Sequence, residues 1–417
     1  MGEKQSVLIT NDAVVLGILI TVLALIFKAE KSEHPVLKKF FTFVPGLLLC
    51  YFIPAVLGTL GIIDGGESKL YFVASRYLLP TCLVFLTLSI DLQAIAKLGS
   101  KAIIMFLTGT AGILLGGPIA LLVISLLFPD MLGADGPDAV WRGMTTVAGS
   151  WIGGGANQTA MKEVYGVGDQ VFSAMIAVDV ICANVWMAVL LFLAAKPKRF
   201  DDVFGGDTTA IESLKDQVEE FQRKTAKIPT LSDLMGLLAV GFAMTALGHL
   251  AADFLAPTIA DLWPGASKFS LTSEFFWLIV ITTTAGLALS FTRARQLEGF
   301  GASRIGSVFL YVLVATIGMK MDIGALLDAP KLFLLGFVWL GVHAGLLLVV
   351  AKLIKAPLFF VAVGSQANVG GAASAPVVAS AFHPALAPVG VLLAVLGYAL
   401  GTYAAWICGQ LLRVIAT

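Results

Sequence analysis

Two stretches, AGSWIGGGANQTA at 148–160 and VGSQANVGGAASA at 363–375, decide how this chain folds. Each opens on Gly-Ser, runs into glycines and carries amide and hydroxyl residues, and one lies in each half of the 417 residues. Their surroundings are apolar. The chain is 58% hydrophobic and 13% charged, against about 25% charged in a typical soluble domain. Runs such as AVVLGILITVLALIF (13–27) and LLGFVWLGVHAGLLLVV (334–350) recur from end to end. About 20 apolar residues cross a bilayer core, and these runs lack the charged outer face of a buried soluble helix. The composition is that of an all-α polytopic membrane protein.

Apolar segments near 9–28, 40–63, 70–91, 101–128, 170–195, 230–256, 274–292, 305–323, 331–353 and 386–412 give about ten spanning helices. The glycine islands sit in two less evenly apolar stretches, 140–165 and 356–383. Lys and Arg resist translocation, so their placement discriminates between crossing and dipping. If both islands dip and return, 18 Lys/Arg fall inside and seven outside, with both termini outside and the basic 196–228 loop in the cytoplasm. If both cross, that loop is expelled and the bias reverses. The charges therefore favour two re-entrant segments. A chain in which broken helices cross while another segment does not keeps the same parity.

Each half then crosses five times, and the second enters with opposite orientation. LSIDLQAIAKLGSKAI (88–103) echoes MKMDIGALLDAPKLFL (319–334), with Asp91 matching Asp322. Gly149 follows Asp91 by 58 residues and Gly364 follows Asp322 by 42, the excess lying in the longer FPDMLGADGPDAVWRG loop. Residues 1–195 and 230–417 read as two inverted-topology repeats, a transporter pattern whose site lies at the repeat interface near the midplane. The linker 196–229 carries Ile211, Leu214, Val218 and Phe221 as one apolar stripe on a short cytoplasmic helix.

Non-helical backbone at membrane depth costs several kcal/mol per unpaired group, so a glycine-rich tip there has a purpose. Glycine turns sharply and admits a ligand close to the backbone. The helix leaving a tip aims amides at the break, and carbonyls before it suit a cation. Ser150, Gly153, Gly154, Gly155, Gln158, Ser365, Gln366, Asn368, Gly370, Gly371 and Ser374 are the candidate solute contacts. The competing reading is close packing of helices through small residues.

Asp179 stands mid-segment in FSAMIAVDVICANVWMAVLLF (172–192), where a charge costs about 2.5–3.5 kcal/mol on insertion scales. With Asn184, Asn157 and Thr159 it forms the candidate Na⁺ site, of hard oxygens and one carboxylate; a protonated or Lys/Arg-paired structural acid is the alternative. Arg76 in YFVASRYLLPT is placed to meet a solute carboxylate, to pair with an acid or to snorkel. Asp91 and Asp322 end apolar helices and read first as caps. His343 lies on an apolar helix, as a packed, satisfied residue would. The four cysteines fall in apolar segments at unrelated spacings, with no disulfide framework or metal spacing.

Net charge is zero, so no excess of basic charge points to nucleic acid. There is no phosphate loop, no HExxH, no GxSxG and no visible nucleophile–base pair, so the chain reads as a non-enzyme without a cofactor. Uphill work would draw on an ion gradient.

GSWIGGGANQTA, AVDVICANVWMAVLL, GMKMDIGALLDAPKLFLLG and VGSQANVGGAASAPVVA resemble, nearly end to end, the YjcL-type family of uncharacterised bacterial integral membrane proteins. More distantly the chain is similar to sodium-coupled carboxylate and glutamate symporters and the cation/proton antiporter superfamily. That likeness implies a bacterial inner-membrane location, an elevator-like moving core holding both islands, a scaffold and a homodimer. The helix after the first island lacks the paired Asp-Asp or Asn-Asp of sodium/proton antiporters, which weakens antiport. The expectation is a Na⁺-coupled symporter of a small organic solute, an anion being one candidate; a sensor or scaffold reusing the fold and an ion/proton antiporter are the alternatives.

Overall fold

The structure is a computed structural model that describes residues 7–416 except 45, 64, 66, 67, 92–94, 97, 133–135, 206–228, 321–329, 384 and 385. Ile211, Leu214, Val218 and Phe221 of the linker stripe, and Asp322, lie outside the described residues.

The described chain is helical: α1 Asp12–Glu30, α2 Pro35–Phe43, α3 Gly46–Thr59, α4 Leu70–Leu88, α5 Ser100–Ser125, α6 Val140–Val164, α7 Asp169–Ala194, α8 Pro197–Phe204, α9 Leu231–Leu262, α10 Glu274–Ser290, α11 Ala302–Gly318, α12 Pro330–Ile354, α13 Leu358–Val369, α14 Gly371–Phe382 and α15 Ala387–Ala416. The starts follow local chemistry. The Asn11 carboxamide oxygen accepts from Ala13 N at 2.9 Å, Thr230 and Asp233 form a capping box before α9, and Ser273 caps α10. Each relieves amide groups that a helix N-terminus leaves unpaired.

Among the described residues, seven helices are long and apolar enough to cross a membrane, or nine if each of two sharply bent pairs counts as one span. The sequence reading expected about ten. The shortfall is one of length: α3 has 14 residues and α10 and α11 have 17 each, about 21 and 26 Å at 1.5 Å per residue, short of a hydrocarbon core about 30 Å thick.

Both glycine islands double back. Within α6 the helical path breaks at Gly154, with φ 75° and ψ −176°, a conformation open essentially to glycine. Eight residues along an unbroken helix span about 12 Å, yet a Cβ added at Gly149 would lie 2.6 Å from the Asn157 carbonyl. The two ends of α6 also meet. The rings of Trp141 and Tyr165 are 6.0 Å apart, and Arg142 donates to the Tyr165 carbonyl. The second island repeats the device at Gly371, φ 60°. Gln366 Nε2 donates to Ser374 Oγ at 2.7 Å across the turn, and the Phe359 and Phe382 rings at the open end lie 5.4 Å apart.

The helices sort into two packed groups. In one, α3 packs on α1 and α11, and α4 on α9, α10 and α11. In the other, α5 packs on α12, α13 and α15, and α15 on α6 and α14, with α7 against α6 and α12. The first group takes the opening helices of each half; the second takes the closing ones together with both hairpins. Close approach in the second group depends on small residues. A Cβ at Gly397 would lie 2.4 Å from the Ile152 carbonyl, and one at Gly401 2.6 Å from Gly153 Cα. The linker helix α8 docks on the second hairpin through Asp201 Oδ1, which accepts from Leu358 N at 2.7 Å.

Candidate functional site

The two hairpins carry the buried polar chemistry. In the first, Asp179 of α7 is 6% exposed. Its Oδ2 accepts from Ser150 Oγ at 2.6 Å and Gln158 Nε2 at 2.9 Å, and its Oδ1 from Trp151 Nε1 at 2.7 Å. Ser150 and Trp151 precede the Gly154 break and Gln158 follows it, so one carboxylate pins both arms to α7. A hydrogen bond to a charged acceptor contributes about 1.5–3 kcal/mol, enough for three to offset the cost of a lone mid-span charge. Tyr51 of α3 donates to Gln158 Oε1 at 3.3 Å, tying the cage to the other helix group.

The second hairpin presents the matching serine to a histidine. His343 of α12 is fully buried, with Nδ1 3.0 Å from the Gly109 carbonyl and Nε2 2.8 Å from Ser365 Oγ. A carbonyl only accepts, so Nδ1 carries the proton and Nε2 accepts from Ser365. Trp186 Nε1 of α7 donates to Ser365 Oγ at 2.8 Å. The two Gly-Ser dipeptides, 149–150 and 364–365, thus each engage a buried titratable side chain.

An asparagine clamp joins each hairpin to a helix of the opposite half. Asn157 Nδ2 donates to the Gly153 and Tyr398 carbonyls at 3.0 Å, and Thr402 Oγ1 donates to its Oδ1 at 2.6 Å. Asn368 Nδ2 donates to the Gly364 and Phe106 carbonyls at 2.9 Å, and Thr110 Oγ1 donates to its Oδ1 at 2.7 Å. In each clamp the asparagine reaches its own preceding turn and a carbonyl and threonine one turn apart on the facing helix.

The four proposed sodium ligands are not gathered in this conformation. Asp179 is caged by donors, Asn157 faces α15, Thr159 donates to Gly155 O at 3.0 Å and Asn184 to Val180 O at 2.7 Å. Of the proposed solute contacts, Ser150 and Gln158 join Asp179, whereas Gly153, Gly154 and Gly155 form the first tip. Ser365 meets His343, and Gln366, Gly370, Gly371 and Ser374 surround the second tip. Gln366 is 1% exposed, and its Oε1 has no partner among the described residues. Arg76 is spoken for: it pairs with Glu163 of the first hairpin at 2.9 Å and lies 4.3 Å over the Phe275 ring. Tyr71 donates to the same carboxylate. Asp91 pairs with Arg295 at 3.0 Å, linking the end of α4 to the segment after α10. Among the described residues no group of three or more His, Cys, Asp or Glu is placed to hold a metal ion.

Sequence reasoning missed Trp151, Trp186, Thr110 and Glu163, and read His343 only as packed. Trp151 directly follows the Gly-Ser pair, the one local signal that an indole N–H stands at the island. The threonines lie more than 240 residues from the asparagines they hold.

Residues 17–415 match a family described as "Protein of unknown function (DUF819)". The chain belongs to that family. It is 23% identical over 357 residues to a Bacillus subtilis protein described as "Uncharacterized membrane protein YjcL", covering 82% of this chain and 84% of that one. The family match, over residues 17–415, spans both hairpins and all the helices that hold them, and it agrees with the family resemblance read from the islands.

Proposed function

We propose that this membrane protein is a secondary active transporter that moves a small anionic organic solute with Na⁺ by alternating access. The observation that carries this reading is the pair of glycine-broken hairpins, one per half, packed against each other inside the second helix group. That group takes α5, α6 and α7 from one half and α12, α13, α14 and α15 from the other, as two inverted repeats would supply. It reads as the moving core, and the α1, α3, α4, α9, α10 and α11 group as the scaffold. The 196–228 linker lies in the cytoplasm and both termini outside.

Coupling follows from the Asp179 cage. A cation reaching Asp179 competes with Ser150, Trp151 and Gln158 for the same carboxylate oxygens. Ion occupancy and docking of the first hairpin are therefore linked, and binding shifts the population between docked and released arms. At the second tip, the Ser374 hydroxyl accepts from Gln366 Nε2 and keeps its own proton to donate to a solute carboxylate. The second buried titratable group, His343, favours a proton as the alternative coupling ion.

Purified protein reconstituted into proteoliposomes tests the reading. An inward Na⁺ gradient should drive accumulation of at least one member of a panel of labelled organic acids, and collapsing the gradient with an ionophore should abolish it. A luminal pH dye distinguishes proton coupling. If no acid accumulates under either gradient and Na⁺ leaves tryptophan emission unchanged at constant ionic strength, the protein is a static scaffold.

A further inference from the structure

The two hairpins are fastened differently. The second, α13 and α14, packs on α5, α6, α7, α12 and α15, all of its own helix group, and on the linker helix α8. Among the described residues no hydrogen bond or ion pair joins α13 or α14 to the scaffold group. The first hairpin packs on α4, α10 and α11 of the scaffold as well as on its own group. Beyond the bond from Tyr51 to Gln158, that seam is closed at Glu163, in the last turn of α6 and so at the open end of the hairpin.

Both Glu163 oxygens are taken by α4. Arg76 Nη1 donates to Oε2 at 2.9 Å, and the Tyr71 hydroxyl donates to Oε1. Bonds to an ionised acceptor are the stronger kind. The neighbouring Lys162, paired with Asp169 at 2.6 Å, lies 4.9 Å over the Tyr71 ring, so a cation–aromatic contact crosses the same seam. Arg76 is fixed from the scaffold side. Its guanidinium lies 4.3 Å over the Phe275 ring of α10, and its carbonyl accepts from His249 Nε2 of α9 at 2.9 Å. It stands in a π turn, Ala74–Leu78, inside α4, a feature rare in helices and frequent at functional sites. The contact is also breakable. The Arg76 and Glu163 side chains are 29% and 15% exposed, so water can take over their hydrogen bonds when they part.

We infer that Glu163, with Arg76 and Tyr71, is an outer gate that closes the first hairpin on the scaffold, and that this structure is the state shut to the outside. The inference rests on the transport reading for its two helix groups and for which face is outside. Parting of Glu163 from Arg76 frees α6 to leave α4 and opens a path from outside toward the Gly154 tip. The second hairpin carries no such fastening, which makes the gate one-sided.

The thiol of Gly155→Cys reports the gate. A Cβ there lies 3.9 Å from Leu310 of α11, at the seam between tip and scaffold, and the four native cysteines are buried. Right-side-out and inside-out membrane vesicles carrying the full-length protein are treated with a membrane-impermeant maleimide, and the rate is normalised to total thiol in denatured protein. From outside, modification should be slow in Gly155→Cys alone. Adding Glu163→Gln or Arg76→Gln should speed it about fivefold or more, the difference between a charged and a neutral partner. Tyr71→Phe, which loses only the hydroxyl, should speed it less. From inside the rate should not rise, because a general loosening of the fold would raise it from both faces. Outside rates that match the parent in all three variants, or a rise from both faces, overturn the gate. The readout needs no solute. Gradient-driven uptake with unchanged rates overturns the gate and keeps the transporter, whereas the expected rates without uptake keep the gate and overturn the transport reading.

Discussion

Replacing Asp179 by Asn sets up a conflict whose size follows from the geometry. The carboxylate accepts from Ser150 and Gln158 on one oxygen and from Trp151 on the other. Asparagine keeps one acceptor and turns the other into a donor. With its oxygen toward Ser150 and Gln158, its NH₂ faces the Trp151 indole N–H, donor against donor. Stranding that buried N–H costs about 1–3 kcal/mol. The two bonds that survive fall from charged to neutral acceptors and lose about half their strength, roughly 1 kcal/mol each. Removing the buried charge returns part of this, so the net loss should be about 2–3 kcal/mol. The diagnostic is the double-mutant cycle. Trp151→Phe alone should cost about 1–2 kcal/mol, because it empties one carboxylate lone pair. In the Asp179→Asn background the same change removes the conflicting donor and should be neutral or stabilising, a coupling of about 2 kcal/mol. Denaturant unfolding in detergent, followed by tryptophan emission, measures all four corners. Additivity within about 0.5 kcal/mol would refute the cage.

Gly154→Ala places a side chain at φ 75° and ψ −176° and should cost about 1–3 kcal/mol, seen as a lowered unfolding midpoint; an unchanged midpoint would mean the first tip is not held there. Gln366→Cys with Ser374→Cys should cross-link with a short thiol reagent, since those side chains touch at 2.7 Å, whereas an unbroken helix separates them by about 12 Å; the four native cysteines are buried. His343→Phe leaves Ser365 Oγ–H and the Gly109 carbonyl without their shared partner and should cost about 2–4 kcal/mol, read by the same unfolding assay. Burial raises the Asp201 carboxyl above its ordinary range. The folded protein therefore holds that proton to higher pH than the unfolded chain, and the group withdraws stability as pH rises from the ordinary carboxylate value through its folded value. Asp201→Asn keeps an oxygen for Leu358 N–H, so its midpoint relative to wild type should climb with pH across that acid window; a constant difference would refute the assignment.

Much of this fold was legible because its signals are local and additive. Apolar length announces a membrane segment residue by residue, and the Lys/Arg of 196–227 indicate how many times the chain crosses before reaching them. Parity favoured fold-back of the islands without deciding it, since a chain in which broken helices cross while another segment does not keeps the same parity; consecutive glycines such as Gly153, Gly154 and Gly155 permit the reversal that the structure shows. Asp179 announced itself by the cost of a mid-span charge. Its partners did not. Asn157 and Thr159 were as polar and as near in sequence as Ser150 and Gln158, and a one-residue difference in helical phase turns a side chain by about 100°.

The sequence by itself therefore determined the solvent, the helical class, the position of two glycine-broken segments and the presence of one expensive carboxylate. Each depends on composition or on neighbours within a few turns. Only the tertiary structure decided which polar groups meet: Asp179 with three hairpin donors, Arg76 with Glu163, His343 with Ser365, and each asparagine with a threonine from the opposite half. Those pairings join residues up to 258 positions apart. They are set by how helices rotate when glycines such as Gly397 and Gly401 let backbones touch, and no window along the chain contains that information.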